Sequence, residues 1–144
     1  MGLTGRTKTL LGDYFDAADL DRVRIVEVDP LPLPALFHRI VQWTGLEVPD
    51  SSLIAGITFD YVIAAREPMA AAMLFHELVH VVQFRLLGVG LFARLYTRRL
   101  LTSRRYEDIP LEQCAYQLEA RFEMGFQPFS VEVEVAKRIV QGSF

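Results

Sequence analysis

Met73-Leu74-Phe75-His76-Glu77-Leu78-Val79-His80-Val81-Val82-Gln83-Phe84 carries two histidines four residues apart, with a glutamate directly after the first. No glycine or proline interrupts the chain from Met69 to Leu87, so the stretch is predicted to be a single helix. Positions i and i+4 lie one above the other on a helix face, so His76 and His80 aim their imidazoles at one point. Two ligands of one tetrahedral metal need that arrangement. Glu77, about 100° further round the helix, sits beside that point, where a carboxylate takes a proton from a metal-activated water. The pattern is a zinc-hydrolase signature.

The competing reading is a chance match, with two histidines simply packed in a core. Both lie in a run that is otherwise almost wholly apolar. An unsatisfied polar group buried there costs roughly 2–7 kcal/mol, and a metal or a polar cleft removes that cost. Of the three histidines in the chain, two fall in this motif, which favours the metal.

A chain of 144 residues, 51% hydrophobic with a mean hydropathy of +0.23, forms one domain over residues 1–144 with a substantial core. The formal charge of −3 supplies no basic field, so no nucleic-acid partner is expected. The single cysteine, Cys114, rules out an intrachain disulfide and reads as a small packed hydrophobe. The amino-terminal residues do not read as a signal peptide. The apolar region from Met69 to Tyr96 is interrupted by His76, Glu77, His80, Gln83, Arg85 and Arg94, each costly at bilayer depth. A buried helix in a cytoplasmic protein, rather than a membrane span, is the expectation.

Working outward, Leu10, Leu11, Tyr14 and Phe15 predict a short amphipathic helix over 6–15, closed by the acidic stretch Asp13 to Asp21. Arg22 to Val28 is rich in β-branched residues and predicts a strand. Asp29 to Pro34, with three prolines, predicts an extended connector, and Ala35 to Trp43 a second helix carrying His38, read as an ordinary histidine. A turn at Pro49 to Ser52 follows. In Ile57 to Ala65, Ile57, Phe59, Tyr61 and Ile63 alternate with Thr58 and Asp60, as in a half-buried strand or a hairpin turning near Asp60. An open edge there would hold an extended peptide by main-chain hydrogen bonds. Pro68 is placed to start the metal helix, and Gly88 and Gly90 to break it. Leu91 to Leu101 resumes helix with Arg94, Arg98 and Arg99 on it and Arg104 and Arg105 beyond, read as a solvated face. Gln127-Pro128-Phe129 is a break, and Ser130 to Gln141 predicts a closing helix in spite of a strand-like alternation of valines.

A catalytic zinc takes three protein ligands and leaves one position open. No histidine follows His80, so the third ligand is expected to be a carboxylate from the segment Tyr106 to Phe122. Pro110 suits a first helical turn, with Asp108 or Ile109 near the cap, and Glu112, Ala115, Tyr116 and Glu119 then share a face. Glu112 is the preferred ligand, with small Ala115 beside it allowing a close approach of the helices. Glu119 is its rival, or else a carboxylate that orients a ligand histidine. Tyr106 and Tyr116 are candidate phenols for an oxyanion, or simply packed.

Thr58-Phe59, Leu74 to Arg85, and Ile109-Pro110-Leu111-Glu112-Gln113-Cys114-Ala115-Tyr116 together resemble the small gluzincin-type metallopeptidases. In particular, they are similar to the zincins of unknown function associated with extracellular contractile injection systems, whose motif runs His-Glu-Leu-x-His-Val-x-Gln. The resemblance covers residues 55–120. It implies a minimal zincin fold, Zn2+ held by His76, His80 and a downstream glutamate, and Glu77 as general base.

The expectation is thus an α+β, minimal zincin-like domain with a small sheet on the metal helix and the Glu112 helix crossing it. Its expected activity is zinc-dependent hydrolysis of a peptide or protein substrate. The alternative is an inactive, zinc-stabilised interaction module on the same frame.

Overall fold

The computed structural model, which describes residues 1–28, 56–66, 68–103, 105–125 and 127–144, begins with two short helices, α1 (Gly5–Leu11) and α2 (Ala17–Arg22). The predicted helix over 6–15 therefore stops early, and the acidic stretch starts a second helix instead of merely closing the first. The reason is capping: the Asp16 carboxylate accepts from the Ala18 N–H at 2.8 Å and so satisfies one of the free amides of a new first turn. The break between the helices drops Phe15 into the core.

Because α2 runs through Arg22, strand β1 (Arg24–Glu27) begins two residues later than predicted. The expectations for residues 29–55, including the connector, the second helix with His38 and the turn at 49–52, lie outside the described residues. Strands β2 (Gly56–Phe59) and β3 (Val62–Ala65) are a hairpin and not one strand, turning at Asp60, whose φ of 52° is left-handed. Aspartate tolerates that conformation better than most residues. The sheet order is β1-β3-β2, with β1 parallel and β2 antiparallel to β3. The tight turn pairs Thr58 with Ile63 and Phe59 with Val62, which overturns the alternation expected through the segment. Phe59 is 62% exposed, with its ring 5.7 Å from that of Phe84, whereas Tyr61 and Ile63 are buried, and Gly56 and Thr58 approach Glu77 of the His-Glu-x-x-His helix.

Helix α3 (Ala71–Leu87) contains the His-Glu-x-x-His motif. Pro68 does not start it. The chain stays extended through Ala70, and Met69 packs beside Gly56 before the first turn forms. Every residue from Leu74 to Phe84 is buried, so α3 is a central helix enclosed on all sides. Gly88, at φ 75°, ends it, and the chain bends by 116° into α4 (Val89–Ser103). Gly90 is no second break; it falls in the first turn of α4. The inner face of α4 stacks Phe92 on Phe84 at 3.8 Å, while Arg94, Arg98 and Arg99 are exposed. A 3₁₀ turn (Tyr106–Asp108) leads to α5 (Pro110–Glu123), with Ile109 at its N-cap and Pro110 in its first turn as the sequence requires. Helix α6 (Val131–Val140) closes the chain, capped by Ser130, which accepts from the Val133 N–H at 3.3 Å. Helical burial of Val131 and Val135 prevails over the strand-like alternation, and Val133 is exposed.

The described residues thus form an α+β arrangement of six α-helices and a small three-stranded mixed sheet. Helix α3 packs against β2, α4, α5 and α6. On one side Phe75 meets the rings of Tyr14, Phe15, Phe122 and Phe129 at centroid distances of 5.5, 4.9, 4.5 and 6.1 Å. A polar tie fastens the far end: buried Asp19 accepts from the Tyr61 hydroxyl at 2.9 Å and from Arg85 Nε at 3.0 Å, and Arg85 Nη2 reaches Glu132 at 2.8 Å. Among the described residues, no single helix is long and apolar enough to cross a membrane. Replacing Phe75 by alanine should cost about 3–5 kcal/mol of stability, read as a lowered urea midpoint. An unchanged midpoint would show that the aromatic cluster does not brace α3.

Candidate metal centre

The fourfold spacing of His76 and His80 places their Nε2 atoms 3.1 Å apart on one face of α3. Helix α5 crosses that face and brings Glu112 Oε2 to 3.3 Å from each of them. Buried Ala115, one turn on, leaves room for the close approach. A metal held tetrahedrally by bonds of about 2.0–2.1 Å keeps its ligand atoms about 3.3 Å apart. The three donors have that spacing and are all buried, so His76, His80 and Glu112 could hold a metal ion.

Each donor is fixed from behind. His76 Nδ1 donates to Glu119 Oε2 at 2.9 Å, since an ionised carboxylate only accepts. His80 Nδ1 donates to Gln83 Oε1 at 2.9 Å, and Gln83 Nε2 donates to the Leu111 carbonyl at 2.9 Å. With both Nδ1 atoms carrying hydrogen, each ring turns Nε2 to the centre, where a metal would take the lone pair in place of a proton. Glu112 Oε1 accepts from the hydroxyls of Tyr96 at 2.8 Å and Tyr106 at 2.7 Å. Glu77 is buried beside the motif, and its Oε2 accepts from Thr58 Oγ1 at 2.6 Å. Gly56 gives that carboxylate its room: a Cβ there would lie 3.0 Å from Glu77 Oε1.

The electrostatics favour a cation. Burial works against a charged His76, but Glu112 and Glu119 outweigh it and push the imidazole up to about 9. His80 is likewise raised, burial being overcome by the charge of Glu112 and its hydrogen bond. Burial would lift Glu112, yet His80 and His76 hold it well below the usual carboxylate range. The phenols of Tyr96 and Tyr106 are raised by burial and then by the charge of Glu112, so both stay neutral donors.

The two rival carboxylates therefore take different places: Glu112 lies among the donors, and Glu119 on the outer nitrogen of His76. Of the two candidate phenols, Tyr106 is engaged by Glu112, whereas half-exposed Tyr116 lies with its ring 4.6 Å from that of His76. Burial and the charge of Glu112 push the Tyr116 phenol up to about 12. Cys114 is fully buried and its thiol is raised by burial, as suits an inert packed residue. Sequence reasoning assigned no role to Gln83, Tyr96 or Gly56. Gln83 had a signal, being a polar residue three positions after His80 in an apolar run. Tyr96 had none, since only the bend at Gly88 brings it to Glu112.

Two outcomes are expected of metal-free protein titrated with a divalent ion. Binding should be lost in His76→Ala and in Glu112→Ala, and weakened about 10–100-fold in Glu119→Gln, as read by equilibrium dialysis. Because a metal must displace the proton that Glu112 and Glu119 stabilise on His76, affinity should fall as pH drops below about 9, by up to roughly tenfold per unit for each proton displaced. A flat pH profile would show that no imidazole proton competes for the site. No protein-family model, curated protein or solved structure matches this chain.

Proposed function

We propose that the chain is a zinc-dependent peptidase on a minimal zincin-like frame, acting on peptide or protein substrates. The observation that carries this reading is the convergence of three buried donors 3.1–3.3 Å apart beside a buried Glu77 carboxylate. Two nitrogens and one oxygen are a donor set that suits zinc, and three protein ligands leave a fourth position open. Zinc bound there would supply Lewis acidity, lowering the pKa of water from 15.7 to about 7 and polarising the scissile carbonyl. Glu77 takes a proton from the attacking water on its carboxylate and passes it to the nitrogen of the leaving amine. Thr58, by its hydrogen bond, holds that carboxylate in place between the two transfers. On its outer edge β2 has no strand partner among the described residues, and an extended peptide can pair with such an edge. The resemblance to small gluzincins supports the same roles for His76, His80 and Glu77, with a downstream glutamate as third ligand.

One observation favours a second reading. All three metal-binding side chains are almost wholly covered, Glu112 being only 2% exposed, and closed sites are the rule where zinc is structural. On that reading the metal stabilises an interaction module without turnover.

Glu77→Gln separates the two. Zinc content should be retained, while cleavage of a mixed-sequence peptide library should fall about 10²–10⁴-fold, the usual contribution of a general base. Cleavage unchanged in that variant would remove Glu77 from the mechanism. Absence of cleavage by the zinc-loaded parent would favour the interaction module.

A further inference from the structure

Both hydroxyls that converge on Glu112, from Tyr96 on α4 and Tyr106 in the 3₁₀ turn, donate to the same carboxylate oxygen, Oε1. Such an oxygen has two lone pairs in the carboxylate plane, and two donors at 2.8 and 2.7 Å occupy both. Among the described residues, the polar partners of the other oxygen, Oε2, are the two imidazole nitrogens, 3.3 Å from each. The two rings lie 6.2 Å apart, edge to face, and Tyr96 packs on Phe92, so the pair is held rigidly by the aromatic layer.

We propose that Tyr96 and Tyr106 are a pair of positioning residues that restrict Glu112 to binding metal through Oε2 alone. The inference rests on the reading of His76, His80 and Glu112 as metal ligands and adds the device that sets the coordination number. A glutamate is able to chelate through both oxygens, which would fill the position that a water or a substrate carbonyl needs. With Oε1 fully engaged by phenols, chelation is blocked and one position stays free. The two tyrosines, acting through Glu112, thereby decide whether the centre is open.

The test uses Co(II) as the metal, titrated into the full chain and into Tyr96→Phe, Tyr106→Phe and the double variant, with visible absorption recorded throughout. The parent should bind one Co(II) with the intense bands of a four-coordinate ion. The double variant should bind about 10–100-fold more weakly, and its bands should lose intensity as Oε1 joins the metal and the coordination number rises. The single variants should move in the same direction, and they decide the matter if the double variant does not fold. A parent that takes up no Co(II) overturns both the metal reading and this proposal. A parent that binds, with variants of unchanged affinity and spectrum, overturns the proposal alone. Weaker binding with an unchanged spectrum overturns it as well, because a merely structural role for the hydroxyls would give that result.

Discussion

Polar satisfaction inside an apolar helix layer is the constraint on which this structure depends. His76, Glu77, His80 and Gln83 sit on α3 among Leu74, Phe75, Leu78, Val79, Val81 and Val82, all of them buried. Each polar atom left without a partner there would cost several kcal/mol, comparable to a large share of a domain's net stability. The partners come from elsewhere in the chain. Strand β2 supplies Thr58, α5 supplies Glu112 and Glu119, and the Leu111 carbonyl meets the Gln83 amide. The arrangement of elements around α3 is therefore dictated as much by what its polar side chains need as by what its apolar ones bury.

Apolar packing keeps that polar column from relaxing. The ring cluster around Phe75 braces one flank of α3 through α1's following turn, α5 and the segment before α6. A second cluster of Phe84, Phe92, Leu100, Ile109 and Leu111 braces the other. Interiors packed at such density transmit position well, so the two clusters on either flank hold the donor set at its spacing. The Asp19–Arg85 tie then links α2, the hairpin, α3 and α6 at the end of the helix away from its N-terminus.

The charges of the centre explain why a cation belongs there. Two imidazoles share their surroundings with Glu112, Glu119 and Glu77, and the carboxylates raise both imidazoles in spite of burial. A field of that sign is satisfied by protons or by a metal, and the spacing of the two Nε2 atoms and one carboxylate oxygen suits a metal geometrically. Such a field favours a cation at the centre; the proposed turnover would depend in addition on access for a substrate, which burial of His76, His80 and Glu112 opposes and a Glu112 bound through one oxygen would assist.

Helix α3 and its histidine pair were legible in the sequence because their information is local. Four-residue spacing on a helix fixes the relative direction of two side chains whatever surrounds them, so His76 and His80 could be paired, and Glu77 set beside them, before any fold was known. Pro110 marked the start of α5 for the same kind of reason, its ring being compatible only with a first turn. Local signals failed where two of them competed: Asp16 as a cap split the predicted first helix, and a two-residue turn at Asp60 reversed which side of β2 faces inward. Helix α5 could be given two candidate glutamates on one face, but only the crossing of α5 over α3 sends Glu112 to the Nε2 atoms and Glu119 to Nδ1. Tyr96 lies beyond a helix break whose angle no composition encodes, and its meeting with Glu112 is a product of the 116° bend at Gly88 and the stacking of Phe92 on Phe84. The sequence by itself determined the donors that share a helix, because the backbone carries that geometry; tertiary structure decided the donors that come from different elements, because their distances are set by packing.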